Sequence, residues 1–472
     1  MADIKFGTSG WRAIIAEDFT FENVKIVTQA IANYLKERNE AYKGIIIGYD
    51  TRFMSEKFAQ IAALVLASNN ILTYLSKRDL PTPVISFKIL EDKLAGGINF
   101  TASHNPPEYN GLKFSPSSGG PALPFTTNWI TENAKTLTIE DVKEIYTLNE
   151  GIEKDIIKMI DSSSSYMDRI RKIVDMEAIS KANLNLVVDT MWGTSQGYLD
   201  DILRETGCQI KVIHNFRDPY FGGFAPEPAE DNISILMQQV KNSNAHLGLA
   251  TDGDADRFGI VDQDGKYIGP NYIIAMLYNH LLKTRGWQGV AVRSVATTHM
   301  MDAIAQKYKK AVKETPVGFK YVAEVMSKED MVIGAEESGG LTINGHVPEK
   351  DGILACLLVT EMVAINKKPL TIILDELYQE VGVFINKRVN FHLNEEEKEN
   401  LLRKLKQNSP LNFAGIKVKD ILSDGFKFIL EDNSWIMIRP SGTEPVVRCY
   451  VETDSQEKLE RLVEAGAKFI KG

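Results

Sequence analysis

Cysteine is scarce in this chain. Cys208, Cys356 and Cys449 are the only three in 472 residues. They are scattered, odd in number and form no CxxC pair, which points to a reduced, cytoplasmic compartment. A basic block is also missing. Lys and Arg number 54 against 63 Asp and Glu, a net charge of −9. No nucleic-acid partner is therefore expected. An anionic ligand must be gripped by a few local cations against an unfavourable overall field. The longest apolar run, Ile353 to Ile365, contains Glu361 and is too short to span a bilayer, so it reads as a core helix and no membrane partner is expected. Met1 to Lys5 lacks the apolar core of a signal peptide. Neither a Walker A loop nor a GxGxxG occurs, so nucleotide chemistry finds no support.

What is present is a repeated order of elements. Gly44 to Gly48 reads as a strand, Ser55 to Asn69 as a helix and Ile71 to Leu75 as a strand. The same order recurs at Leu184–Val188, Ser195–Glu205 and Gln209–Ile213, then at Gly289–Val292, Thr297–Tyr308 and Ala311–Glu314. Strand, helix, strand implies parallel pairing with a right-handed crossover. From about Phe384 the pattern changes to strand-like runs and two charged helices, Glu395–Gln407 and Ser455–Ile470. The fold class expected is α/β: three similar mixed α/β domains around a central cleft, plus a smaller C-terminal α+β domain. The expected boundaries are 1–160, 161–264, 265–380 and 381–472.

Each repeat reaches a further apolar strand that ends in a loop of unusual chemistry, where ligands of open parallel sheets collect. The first loop is Thr101-Ala102-Ser103-His104-Asn105-Pro106. Its serine is either an ordinary loop hydroxyl or a nucleophile at a strand end. It is not the elbow of an α/β-hydrolase, because Thr101 and Asn105 stand where glycines belong. A phosphoryl acceptor needs a cation and donors nearby. His104, Asn105 and Lys113 are close in sequence. The second loop is Asp252-Gly253-Asp254-Ala255-Asp256-Arg257. Three alternating carboxylates repel unless a cation neutralises them, and hard oxygen ligands favour Mg²⁺ over zinc. A solvated acidic turn is the alternative, against which the flanking apolar strands argue. An EF-hand fails at Arg257 and Gln263, where Gly and Glu are required.

The third loop is Gly334-Ala335-Glu336-Glu337-Ser338-Gly339-Gly340. In an extended segment Glu336 and Ser338 point the same way, which suits vicinal sugar hydroxyls; a helix N-terminus is the alternative. His346 and Lys350 are the nearest downstream acid/base candidates. The fourth loop, Arg439-Pro440-Ser441-Gly442-Thr443-Glu444-Pro445, offers a guanidinium, hydroxyls and a close-approach glycine for a phosphate dianion, with Arg448 as a second fork. Gly7-Thr8-Ser9-Gly10-Trp11-Arg12 reads as a small anion nest or as a plain N-terminal turn.

In this order, TASHNP, DGDADR, GAEESGG and RPSGTEP resemble the α-D-phosphohexomutase superfamily, the phosphoglucomutases and phosphomannomutases, over essentially the whole chain. The opening GTSGWR and Tyr109–Lys113 agree. The resemblance implies that Ser103 is a phosphoserine in the active form. It implies Mg²⁺ on Asp252, Asp254, Asp256 and a phosphoryl oxygen at Ser103. Glu336 and Ser338 would hold sugar hydroxyls. Arg439, Ser441, Gly442 and Thr443, with Arg448, would grip the non-reacting phosphate. Arg12 and Lys113 would act near the transferred group. Thr8, Ser9, His104, Arg257, Gly318, Lys320 and Lys350 would complete the substrate site. Some bacterial members that act on two sugars carry His where Gly340 stands, and GHVPEKDG looks more like the phosphoglucomutase branch, with His346 as the proton handler. The expected reaction interconverts glucose 1-phosphate and glucose 6-phosphate, with hexose 1,6-bisphosphate as intermediate and activator. A phosphomannomutase or an enzyme of both sugars is the near rival. A metal-dependent sugar phosphatase is the next, against which Asp256 counts. A silent sugar-phosphate binder is the last. The expected partner is a small hexose phosphate.

Overall fold

The computed structural model describes residues 4–7, 10–407, 409–422, 426–440 and 446–471. The first sheet has six strands in the order Trp11–Ile14, Tyr109–Pro116, Gly96–Phe100, Ile45–Tyr49, Thr73–Ser76 and Ile157–Ile160. Its inner strands run parallel, and Tyr109–Pro116 returns antiparallel to Gly96–Phe100. Ile45–Tyr49 and Gly96–Phe100 are buried along their whole length, as strands covered by helices on both faces must be. The helices Ser55–Ser68 and Thr82–Glu91 supply that cover by crossing between parallel strands.

A second sheet of five strands and a third of four repeat the plan. In each, parallel central strands meet one antiparallel return, Phe258–Asp262 after Leu247–Thr251 and Gly340–Ile343 after Met331–Glu336. The fourth sheet, from Ile385–His392 to Val446–Thr453 and outward to Asn412–Phe413, is antiparallel throughout. The helices Glu395–Gln407 and Gln456–Lys471 belong to this last unit. The repeats expected from the sequence occur as Ile45–Tyr49, Asn185–Asp189 and Val290–Ser294, each followed by its helix and parallel neighbour. The second helix begins later than Ser195, at Leu199, because Ser195 to Tyr198 form a turn.

Gly352–Asn366 is the helix that joins the second and third sheets. Ile353, Leu354, Leu357, Leu358, Val359 and Met362 are all at most 1% exposed. A helix apolar all round must lie inside the protein. Its Glu361 is buried but paired with Arg285 at 2.6 Å and His280 at 2.8 Å. Each such apolar side chain contributes about 1.5–3 kcal/mol on burial. Truncating Leu357 to Ala leaves a cavity that costs about 2–5 kcal/mol. Asp351 caps the helix by accepting from the Leu354 N–H at 2.9 Å. Among the described residues, no helix is long and apolar enough to cross a membrane.

Candidate active site

The acidic loop and the strand that follows it are tied by backbone hydrogen bonds to the first and third α/β units. Thr82 N–H donates to the Asp254 carbonyl at 2.9 Å, Gly352 N–H to Ala255 at 3.0 Å and Phe258 N–H to Gly339 at 3.0 Å. Close approach matters here. A side chain at Gly253 would put its Cβ 2.8 Å from the Ser103 carbonyl oxygen.

Ser103 ends up 1% exposed with a left-handed backbone, φ 53°. Single non-glycine residues in this conformation are strained and need external support. The Ser103 N–H donates to Thr101 Oγ1 at 2.8 Å, and the hydroxyl donates to Asp252 Oδ2 at 2.8 Å. His104 Nδ1 lies 3.4 Å from the same hydroxyl. Burial, aided by Arg257 and Arg12, pushes the His104 pKa well below its ordinary value, so the ring is neutral.

Asp252, Asp254 and Asp256 are fully buried, and one oxygen of each lies within 4.8 Å of the others. Asp252 Oδ1 accepts from the Asp256 and Arg257 N–H groups at 2.9 Å each, which fixes the loop. Lys113 Nζ sits 2.5 Å from Asp254 and 3.1 Å from Asp256, and Lys350 Nζ sits 2.6 Å from Asp256. Thr82 donates to Asp254 Oδ2 at 2.5 Å and is itself held by Asn99 at 2.8 Å. Burial pushes the Asp252 carboxyl well above its usual range, reinforced by Asp256 and Asp254. Burial also acts to raise Asp254 and Asp256, but Lys113 and Lys350 overcome it and hold both below the ordinary range. For Lys113 burial is again outweighed, by Asp254 and Asp256, and its pKa rises. Asp254 Oδ1 and Asp256 Oδ1 are buried without a hydrogen-bond partner. Unsatisfied carboxylate oxygens in the interior are costly. An all-oxygen triad with two orphaned lone-pair sites fits a hard divalent cation.

Around this centre lie most of the other sequence candidates. Arg12 donates to Asn105 Oδ1 at 2.7 Å. Arg257 stands 3.9 Å from Asp256 and 3.4 Å from Glu227. Lys113, Asp256, Lys320, Glu349 and Lys350 line one small enclosed cavity. Glu336 Oε1 accepts from the Gly318 N–H at 2.8 Å, across a loop whose Gly318 has φ 132°. Burial, then Glu337, raises the Glu336 carboxyl to about 7.

Two expectations change. Glu336 and Ser338 do not lie in one extended segment. Glu336 ends a strand, and Glu337 to Gly339 form the hairpin turn to Gly340, so the two side chains do not follow strand alternation. His346 turns away from the serine loop. Its Nε2 pairs with Asp351 at 2.7 Å, both side chains fully buried, and Asp351 also accepts from Tyr166 at 2.7 Å. It lines a separate cleft with Phe87, Leu90 and Arg169. Lys350, four residues on, is the member of that segment that reaches the triad. Thr8, Ser9, Ser441, Gly442 and Thr443 lie outside the described residues. Of the phosphate loop, Arg439 and Arg448 remain, and they are direct cross-strand partners.

Arg52, Thr82 and Glu349 carry weight that sequence reasoning missed. Glu349 is buried, and burial, opposed by Lys350 and Lys113, raises its carboxyl to about 7. Asp50 and Arg52 follow the first buried strand, so the strand-end rule that found Ser103 applies to them as well. Nothing in the sequence marks Thr82.

Family models for the phosphoglucomutase/phosphomannomutase α/β/α domains I, II and III match residues 3–140, 164–265 and 269–381, and the C-terminal domain model matches 389–468. The chain belongs to the α-D-phosphohexomutase superfamily. A phosphoglucomutase/phosphomannomutase of Thermococcus kodakarensis is 32% identical over 472 residues, 98% of both chains. A phosphoglucosamine mutase of Methanocaldococcus jannaschii is 30% identical over 435 residues, 91% of this chain and 92% of its own. A crystal structure from Thermus thermophilus that carries a phosphomannomutase name superposes with a TM-score of 0.86 at 32% identity, covering 100% of both chains. This phosphohexomutase is thus an isomerase of the phosphotransferase kind, and the Asp252–Asp256 loop is its candidate metal site.

Proposed function

We propose that this phosphohexomutase interconverts glucose 1-phosphate and glucose 6-phosphate, with Ser103 as the phosphoryl carrier. The observation that carries the reading is the 2.8 Å bond from Ser103 Oγ to Asp252 inside a buried carboxylate triad. A hydroxyl in such a place is poorly used as a structural donor alone. As a carrier, it gives its phosphoryl to the free hydroxyl of the hexose phosphate. The serine O–P bond breaks as the sugar O–P bond forms, and the hydroxyl proton leaves to a base. The hexose 1,6-bisphosphate then turns end for end and returns its other phosphoryl to Ser103.

Asp252, Asp254 and Asp256 would hold Mg²⁺, which when bound neutralises charge on phosphoryl oxygens. Arg12 and Lys113 bring positive charge to the transferred group. Neutral His104, with Nδ1 3.4 Å from the serine hydroxyl, is the first candidate for moving the proton, and Lys350 is the second. Glu336, whose carboxyl burial raises to about 7, hydrogen-bonds sugar hydroxyls. Arg439 and Arg448 hold the phosphate that is not reacting.

Glucose is favoured by the GHVPEKDG segment and by Glu337, which stands where the glucosamine branch has Gln in its GEQSGH pattern. A second reading, glucose and mannose both, is favoured by the name of the Thermococcus relative. Turnover on glucose 1-phosphate, mannose 1-phosphate and glucosamine 1-phosphate, each with a trace of glucose 1,6-bisphosphate, separates the readings. Comparable rates on mannose establish the second reading, and a preference for glucosamine overturns both.

A further inference from the structure

Arg52 is the least exposed arginine near the site, at 0%, and it bonds mainly to backbone. One guanidinium gathers three carbonyls of the serine loop and that of Tyr109, which opens the next strand. Nη2 donates to the Ser103 and Asn105 carbonyls at 2.6 Å each, and Nη1 donates to Pro106 at 2.7 Å and Tyr109 at 3.1 Å. Nε donates to Asp50 Oδ2 at 3.1 Å, so every nitrogen of the fork is used. The opposite carboxylate oxygen of Asp50 takes the Arg52 N–H at 3.0 Å and the Ser55 hydroxyl at 2.9 Å, which fixes the base of the side chain. Its Cζ lies over the Phe221 ring, 4.9 Å from the centroid.

We propose that Arg52, backed by the Phe221 ring, is the positioning residue that holds Ser103 in its strained backbone and aims its hydroxyl at the aspartate triad. The inference rests on Ser103 being the phosphoryl carrier. The physical case is geometric. A left-handed serine in a loop with no regular pairing keeps its conformation only if its surroundings over-determine it. The Ser103 carbonyl accepts from Arg52, and it lies so near Gly253 that a Cβ there would come within 2.8 Å of its oxygen. Lysine cannot replace the arginine. Its three donors radiate from a point, whereas the planar fork spans four carbonyls and a carboxylate. Phe221 belongs to the second α/β unit, so the clamp also ties the aim of the serine to the unit that bears the triad.

The test uses the full-length protein, ³²P-labelled glucose 1,6-bisphosphate and the variants Arg52→Lys and Phe221→Leu. In the parent protein the label appears on the peptide containing Ser103. In Arg52→Lys, kcat and the labelling rate fall together by about 100-fold while KM stays within about threefold, because the carrier is misaimed and the sugar site is intact. In Phe221→Leu, which keeps every donor, both fall by about three- to tenfold with KM unchanged. Wild-type kcat in Arg52→Lys overturns the proposal alone. If that variant does not fold, unchanged kcat in Phe221→Leu does so. No label on Ser103 in the parent protein overturns the carrier reading and the proposal with it.

Discussion

Ser103 is 1% exposed, and its hydroxyl is already bonded to one carboxylate of a triad that two lysines and a threonine hold in place. Arg439 and Arg448 stand opposite one another on antiparallel strands, each only partly buried. Like charges directly across a sheet repel. The first region is largely bonded among its own residues, with an oxygen each of Asp254 and Asp256 left over for a ligand, whereas the second brings two arginines to facing positions on neighbouring strands. Groups fixed beforehand lower the barrier of the chemical step, and groups that meet the ligand mostly set its affinity. The two regions should therefore separate in kinetics.

The largest effect is expected at the carrier. Ser103→Ala should lower turnover by more than about 10⁴-fold, as loss of a covalent carrier does. Its melting curve should stay within a few degrees of the parent, since only one hydrogen bond is lost. Near-normal turnover by the folded variant would remove the basis of the comparison. Asp254→Asn comes next. It keeps the shape of a side chain bonded to Thr82 and Lys113 but removes a charge from the triad. A fall of about 10²–10³-fold in kcat is expected, with a higher Mg²⁺ concentration needed for half-maximal activity. An unchanged Mg²⁺ titration would show that the triad does not hold the ion. Arg439→Ala should act on KM. Losing a charge-assisted contact of about 1.5–3 kcal/mol raises KM by about 10–100-fold and leaves kcat within about threefold. A kcat loss with unchanged KM would erase the division between the regions.

Periodicity finds the repeated strand–helix–strand units because parallel strands covered on both faces are continuous apolar runs. Ile45–Ile47 and Leu186–Val188 are fully buried, as such runs require. The acidic loop is legible because three alternating carboxylates between apolar strands repel one another unless a cation joins them. The wider site is not. Thr82 lies 172 residues from Asp254, and Arg52 lies 51 from Ser103. Neither pairing leaves a trace in local sequence. The orientation of a side chain off an irregular loop is also invisible to spacing. This is why spacing puts Glu336 and Ser338 on one side when the turn parts them, and why it does not distinguish His346 from Lys350 within a single short segment.

His346 gives the smallest and most discriminating prediction. Lys350 Nζ is 2.6 Å from Asp256, while His346 Nε2 is 2.7 Å from Asp351, the cap of the helix Gly352–Asn366. A histidine that moves the substrate's proton contributes about 10²–10⁴-fold to the rate. One that holds a capping aspartate contributes to stability instead. His346→Ala leaves Asp351 with Tyr166 and one lost partner, a cost of about 1–3 kcal/mol for a buried polar group. The expected result is a melting temperature lower by several degrees, kcat within about threefold and an unchanged pH profile. The matching change at Lys350, Lys350→Met, should lower kcat by about tenfold or more even at temperatures where the variant stays folded, beyond the stability lost with its ion pair to Asp256. If His346→Ala instead abolishes turnover at full stability, the two residues exchange roles.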